Sequence, residues 1–198
     1  MKGLMELNLY NIGKAICTVL KPIYRIEVIG AENIPTSGGV LICSNHIDNL
    51  DPPVVGISSP RPIHFMAKDE LFRVPVLKNI LPKINAFPVK RGMSDKQALR
   101  TGLQLLKDGK VLGLFPEGTR SKTGELGKGL AGAGFFALRT EAKVVPCAIV
   151  GPYQPFKPLK VVFGKPIDFE QVKEQKGSAE DATDLIMDTI AELLQKYR

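Results

Sequence analysis

Residues 40–53 read Val40-Leu41-Ile42-Cys43-Ser44-Asn45-His46-Ile47-Asp48-Asn49-Leu50-Asp51-Pro52-Pro53. The short apolar run at the start, closed by polar residues, predicts a buried strand over 40–44. Pro52 and Pro53 suit the first turn of a helix, where the amide N–H that proline lacks has no intrahelical partner to lose. Strand, loop and helix in this order form the unit from which α/β domains are built. Further strand-like runs rich in β-branched and aromatic residues occur at 23–29, 63–67, 84–89, 111–115, 144–150 and 159–163. Helical patterns lie between several of them. Ser94 and Gln97 have the spacing of a capping box, opening a helix with Leu99, Leu103 and Leu106 inward and Gly109 beyond its end. Two more helices are predicted at 129–140 and 179–196. The expected fold is a single α/β domain over 25–198, with a mostly parallel central sheet flanked by helices. The Pro-rich stretch 152–158 reads as a loop feeding the last strand.

The chain has 198 residues, enough for one sizeable core and too few to require two. Residues 61–150 hold 16 basic and 7 acidic side chains, so the surplus positive charge sits in the middle of the chain. This points to an anionic or phosphorylated partner, although solubility alone also accounts for surface lysines. No apolar run approaches the ~20 residues of a membrane-spanning helix. Met5, Leu9, Ile12, Ile16, Val19 and Ile23 recur at helical spacing, and predict an amphipathic helix over 1–24. Such a helix fits a lipid interface or a packed position on its own domain. The segment lacks the features of a secretory signal. Cys17, Cys43 and Cys147 are odd in number and widely spaced, which predicts reduced thiols. Cys43 and His46 cannot complete a tetrahedral metal site, so no metal is expected.

The polar clusters follow strands, where ligands collect in α/β sheets. The strand at 40–44 delivers His46 into a loop, and Asp51 stands at the next helix start. A five-residue separation does not align two side chains on a regular helix, so contact requires the turn at this junction. Asp51 bonded to one ring nitrogen would leave the other as a base. Taken alone, the pair reads first as a buried histidine satisfying a helix end or a loop carbonyl. The second cluster, Phe115-Pro116-Glu117-Gly118-Thr119-Arg120-Ser121, also follows a strand. Arg120 offers a donor fork suited to phosphate, and Glu117 is suited to hold it or to accept from a substrate hydroxyl. Lys68 and the pair Lys90-Arg91 fall at two other strand ends. Gly127, Gly129 and Gly132 match Gly-x-Gly-x-x-Gly, but a polar loop precedes them and no acidic residue stands about 20 positions later. They are read as close-approach glycines and not as a dinucleotide site.

Together these residues resemble the glycerolipid acyltransferases. Four blocks occur in that family's order: His46-x4-Asp51, 86–91, 115–121 and Val144-Val145-Pro146. The resemblance implies a glycerol-3-phosphate acyltransferase-like fold and a catalytic His46 oriented by Asp51. It implies acceptor phosphate held by Lys68, Arg91 and Arg120, with Glu117, Gly118 and Thr119 contributing to the acceptor site and Pro146 shaping a pocket. The implied reaction moves a fatty acyl group from an acyl-CoA or acyl-carrier-protein thioester to lysophosphatidate (1-acylglycerol-3-phosphate), giving phosphatidic acid. No cofactor is expected, and the protein would work at the membrane surface, on its cytoplasmic face. Glycerol-3-phosphate or another lysophospholipid is the alternative acceptor. A non-catalytic module for anionic lipid or nucleic acid is the distant alternative; no basic run interleaved with aromatics supports nucleic acid.

Overall fold

The computed structural model describes residues 20–90 and 95–198. Strands β1 (Ile26–Ile29), β2 (Val40–Ser44), β3 (Ile63–Lys68), β4 (Ala86–Val89), β5 (Val111–Leu114), β6 (Lys143–Val150) and β7 (Leu159–Phe163) form one sheet. Their order is β1-β7-β6-β2-β5-β3-β4, and every neighbouring pair is parallel except β6–β7. The expected mostly parallel sheet is therefore present, and β2, β3, β4, β5 and β6 all end at the same edge.

All five residues of β2 are buried. Because side chains alternate across a strand, Leu41 and Cys43 join the core on one face while Val40 and Ile42 join the core on the other. The first core is closed by helices α3 (Lys96–Lys107), α4 (Gly132–Arg139) and α5 (Ala179–Tyr197), through Leu106, Phe136, Ile186 and Ile190. The second is closed by α2 (Asp51–Ser58), through Val54 and Val55. A short turn of helix, α1 (Leu20–Ile23), precedes β1. This helix and the turn at Tyr24-Arg25 take the place of the first residues expected in that strand. The rest of the expected amphipathic helix, residues 1–19, lies outside the described residues.

Two local expectations are corrected. The α3 cap is Asp95, whose Oδ1 accepts from Gln97 N and Ala98 N at 3.0 Å each. Ser94 lies outside the described residues. An aspartate adjoining the first turn fills the capping role expected of the serine. Helix α4 begins at Gly132, because Leu130 N is drawn back to Pro116 O at 2.9 Å. Of the expected close-approach glycines, Gly129 packs on α5, where a Cβ would stand 2.5 Å from Thr183 Cγ2, whereas a Cβ on Gly132 would meet open space; the tightest approach is at Gly134, where a Cβ would stand 1.9 Å from Ala179 O.

Candidate active site

At the end of β2 the side chain of buried Asn45 behaves like one more rung of the sheet. Its Oδ1 accepts from Ile149 N at 2.7 Å and its Nδ2 donates to Ile149 O at 3.1 Å. This clamp to β6 fixes where the chain leaves the sheet, and His46 is the next residue out. The following turn is closed by Asp51 N donating to Asp48 O at 3.2 Å and Leu50 N donating to Asp48 Oδ1 at 2.9 Å. It folds the chain back so that Asp51 Oδ2 lies 2.7 Å from His46 Nδ1. The same oxygen accepts from Ile47 N at 2.6 Å and Asp48 N at 2.8 Å. Asp51 is fully buried, whereas the His46 side chain is 13% exposed.

A carboxylate oxygen that accepts two backbone N–H groups assigns the third contact as Nδ1–H donating to it. The remaining ring nitrogen, Nε2, has no partner among the described residues. Phe115 stacks on the imidazole with ring centres 4.2 Å apart, and Phe65 lies parallel behind Phe115 at 6.0 Å. One face of the ring is thereby packed.

Glu117 ties the second cluster to the first. Its Oε1 accepts from His46 N at 2.8 Å and its Oε2 from Gly127 N at 2.9 Å, while Ser121 N donates to His46 O at 2.7 Å. Glu117 thus pairs with backbone amides, and the optional Glu117–Arg120 pair does not form. Desolvation favours this, since Glu117 is buried and Arg120 lies out at the surface. Gly118 turns the loop with φ +66°, and a Cβ there would meet Leu130 Cδ1 at 2.6 Å.

The loop borders a cleft of about 340 Å³ whose lining includes Glu117, Thr119, Arg120, Ser121 and Lys128. His46 adjoins it through the Ser121 and Glu117 bonds without lining it. Lys68 is exposed at the end of β3, on the same sheet edge but outside the cleft lining. Arg91 lies outside the described residues. Pro146 is buried in β6, opposite Cys43, with its ring against Gly164, and it too stands apart from this cleft.

Sequence reasoning missed three contributors. The sequence assigns no part to Asn45 in the first cluster or to Lys128 among the glycines. Tyr153 donates its hydroxyl to Asp51 Oδ1 at 2.7 Å from 102 residues away. No spacing pattern reports such a contact.

Fold and site together define an α/β protein with a histidine–aspartate dyad at the carboxyl edge of its sheet. Residues 25–150 match the family model described as Acyltransferase, and the chain belongs to that family. Over 148 residues it is 35% identical to the 1-acyl-sn-glycerol-3-phosphate acyltransferase of Bacillus subtilis, covering 72% of this chain and 73% of that protein. It is 31% identical over 127 residues to the Borreliella burgdorferi protein of the same name, covering 63% of this chain and 51% of that one. The crystal structure of the 1-acyl-sn-glycerophosphate (LPA) acyltransferase PlsC from Thermotoga maritima shares the fold. Its TM-score is 0.69 at 24% identity, over 98% of this chain and 81% of that chain.

Proposed function

We propose that this acyltransferase moves a fatty acyl group from an acyl thioester to the free hydroxyl of 1-acylglycerol-3-phosphate, forming phosphatidic acid. The observation that carries the reading is the 2.7 Å His46–Asp51 bond, which leaves Nε2 available beside a cleft bearing Arg120 and Lys128. The names of the Bacillus and Borreliella relatives support the acceptor. In this reading His46 Nε2 takes the hydroxyl proton while the oxygen attacks the thioester carbonyl. The tetrahedral intermediate then collapses, the C–S bond breaks, and the imidazolium returns its proton to the departing sulfur. Asp51 holds the ring and stabilises its charged form.

The described cysteines do not suit a covalent acyl-enzyme. Cys43 and Cys147 are buried, and burial pushes the Cys147 thiol up to about 12 and that of Cys43 further still. In this reading Arg120, Lys68 and Arg91 take the acceptor phosphate, and Gly118 and Thr119 frame the glycerol part. Glu117 acts by holding the loop in place. Pro146 shapes the strand beneath the site. No cofactor takes part, and acyl-CoA or acyl carrier protein supplies the thioester. Among the described residues no helix is long and apolar enough to cross a membrane. Peripheral association with the cytoplasmic face of the membrane fits a lipid acceptor.

The test is acyl transfer by the purified chain, with lysophosphatidate and glycerol-3-phosphate offered separately against acyl-CoA and acyl carrier protein. Lysophosphatidate is expected to be the better acceptor. His46→Ala is expected to lower kcat by about 10²–10⁴-fold with the fold retained, the range general-base catalysis supplies. Preferential acylation of glycerol-3-phosphate would overturn the acceptor, and near-normal turnover by His46→Ala would overturn the mechanism.

A further inference from the structure

The Asp51 carboxylate has two differently furnished oxygens. Oδ2 is shared by His46 Nδ1, Ile47 N and Asp48 N, all local to the loop. Oδ1 receives the Tyr153 hydroxyl at 2.7 Å, from the loop that follows β6. The three contacts on Oδ2 tie that oxygen to the loop it belongs to, so the carboxylate moves with the loop unless its other oxygen is held from outside. Tyr153 supplies that outside anchor on Oδ1, fixing the plane of the carboxylate against the body of the domain. Tyr153 is itself held: its ring meets Tyr24 edge-on at 5.5 Å. Its loop is tied to the start of the domain by Phe156 N donating to Ile23 O at 2.6 Å and Leu159 N donating to Tyr24 O at 3.1 Å. Burial, and then the neighbouring Asp51 charge, push the Tyr153 phenol well above its ordinary value, so it remains a donor at any working pH.

We propose that Tyr153 is a positioning residue for transfer: its hydroxyl fixes the Asp51 carboxylate so that Oδ2 faces His46 Nδ1 and Nε2 faces the substrate side. The inference rests on His46 acting as the base. It extends the dyad to a Tyr153–Asp51–His46 chain whose distal member belongs to another loop, anchored on residues 23–24. The simpler alternative is that Tyr153 only satisfies a buried carboxylate oxygen and contributes to stability alone.

The two ideas differ in kinetics. In Tyr153→Phe the ring and its packing on Tyr24 remain while the donor is lost. We expect kcat to fall roughly ten- to hundredfold, the loss of one hydrogen bond to a charged group, with the acceptor KM within about twofold. The acid limb of kcat/KM is expected to move to higher pH, because a carboxylate with one donor fewer holds the imidazolium more strongly. A drop in Tm with kcat and the pH profile unchanged would overturn the proposal. Should Tyr153→Phe fail to fold, Tyr24→Leu loosens the phenol without touching Asp51. A smaller kcat loss with a smaller pH shift in the same direction supports the proposal, and wild-type kinetics overturns it. His46→Ala is run alongside. If it retains turnover, the base assignment has failed; if it is inactive while Tyr153→Phe is normal, only the present inference has.

Discussion

The two ends of the central strands are built from the same chain yet finish in opposite ways. At the amino end, Arg61 closes the structure by donating to Pro35 O at 2.7 Å, Gly38 O at 2.9 Å and Gly109 O at 2.6 Å. Gly109 makes its tight turn at φ +70°, and Val40 N donates to Lys110 O at 3.1 Å. Polar groups there are spent on backbone carbonyls, and the result is a seal. At the carboxyl end, the same kind of saturation surrounds Asp51 and Glu117, but every bond orients another side chain or loop. Among the described residues, one imidazole nitrogen is left without a partner at the end of this chain of contacts. Buried polar networks rigidify when complete, so the contacts around Asp51 and Glu117 fix where that nitrogen stands.

Substitutions at the two ends should separate accordingly. The largest effect is expected at Asp51→Ala, which strands the His46, Ile47, Asp48 and Tyr153 donors in a buried site. Loss of about 3–5 kcal/mol in urea unfolding should accompany loss of transfer. A stable, active Asp51→Ala protein would erase the distinction between the ends. Next, Arg61→Ala should cost about 1–3 kcal/mol, reduced by the partial exposure of the side chain, while kcat/KM per folded molecule stays the same. A kinetic defect at full stability would show that the amino end reaches the site.

The smallest effect concerns His64, whose Nδ1 lies 3.2 Å from Val111 O, near the amino end of β5. Burial lowers its pKa most, and Lys110 lowers it further against the opposing Val111 hydrogen bond. The folded state therefore binds this proton less readily than the unfolded chain. The associated stability is present above the ordinary value of ~6.5 and is lost as pH falls through the lowered folded value. His64→Gln should flatten the loss of Tm as pH falls below about 6.5. An equal slope in both proteins would remove His64 from the balance.

Much of the framework was legible because it rests on local chemistry. The residues of β2 and β7 match the predicted runs, since both are short, apolar and bounded by turn residues. Pro52 and Pro53 mark the start of α2, where proline has no intrahelical bond to break. The boundaries that moved did so through contacts outside the local pattern. Ile23 is helical because its segment turns through α1, and α4 starts late because Leu130 is tied to Pro116.

The linear sequence determined the α/β class, the placement of both polar clusters after strands, and membership of an acyltransferase family through its ordered blocks. The first two follow from side-chain periodicity and turn chemistry, which act over a few residues, and the third rests on the resemblance those blocks carry. Tertiary structure alone decided which oxygen each donor meets. It turned Glu117 from a partner for Arg120 into a brace for the His46 backbone, and it brought Tyr153 and Asn45 into the site. Such contacts depend on sub-ångström geometry between strands and loops distant in the chain. The pattern of types along a sequence places a histidine and an aspartate at one strand-to-helix junction, but only the packed sheet determines how that histidine is held.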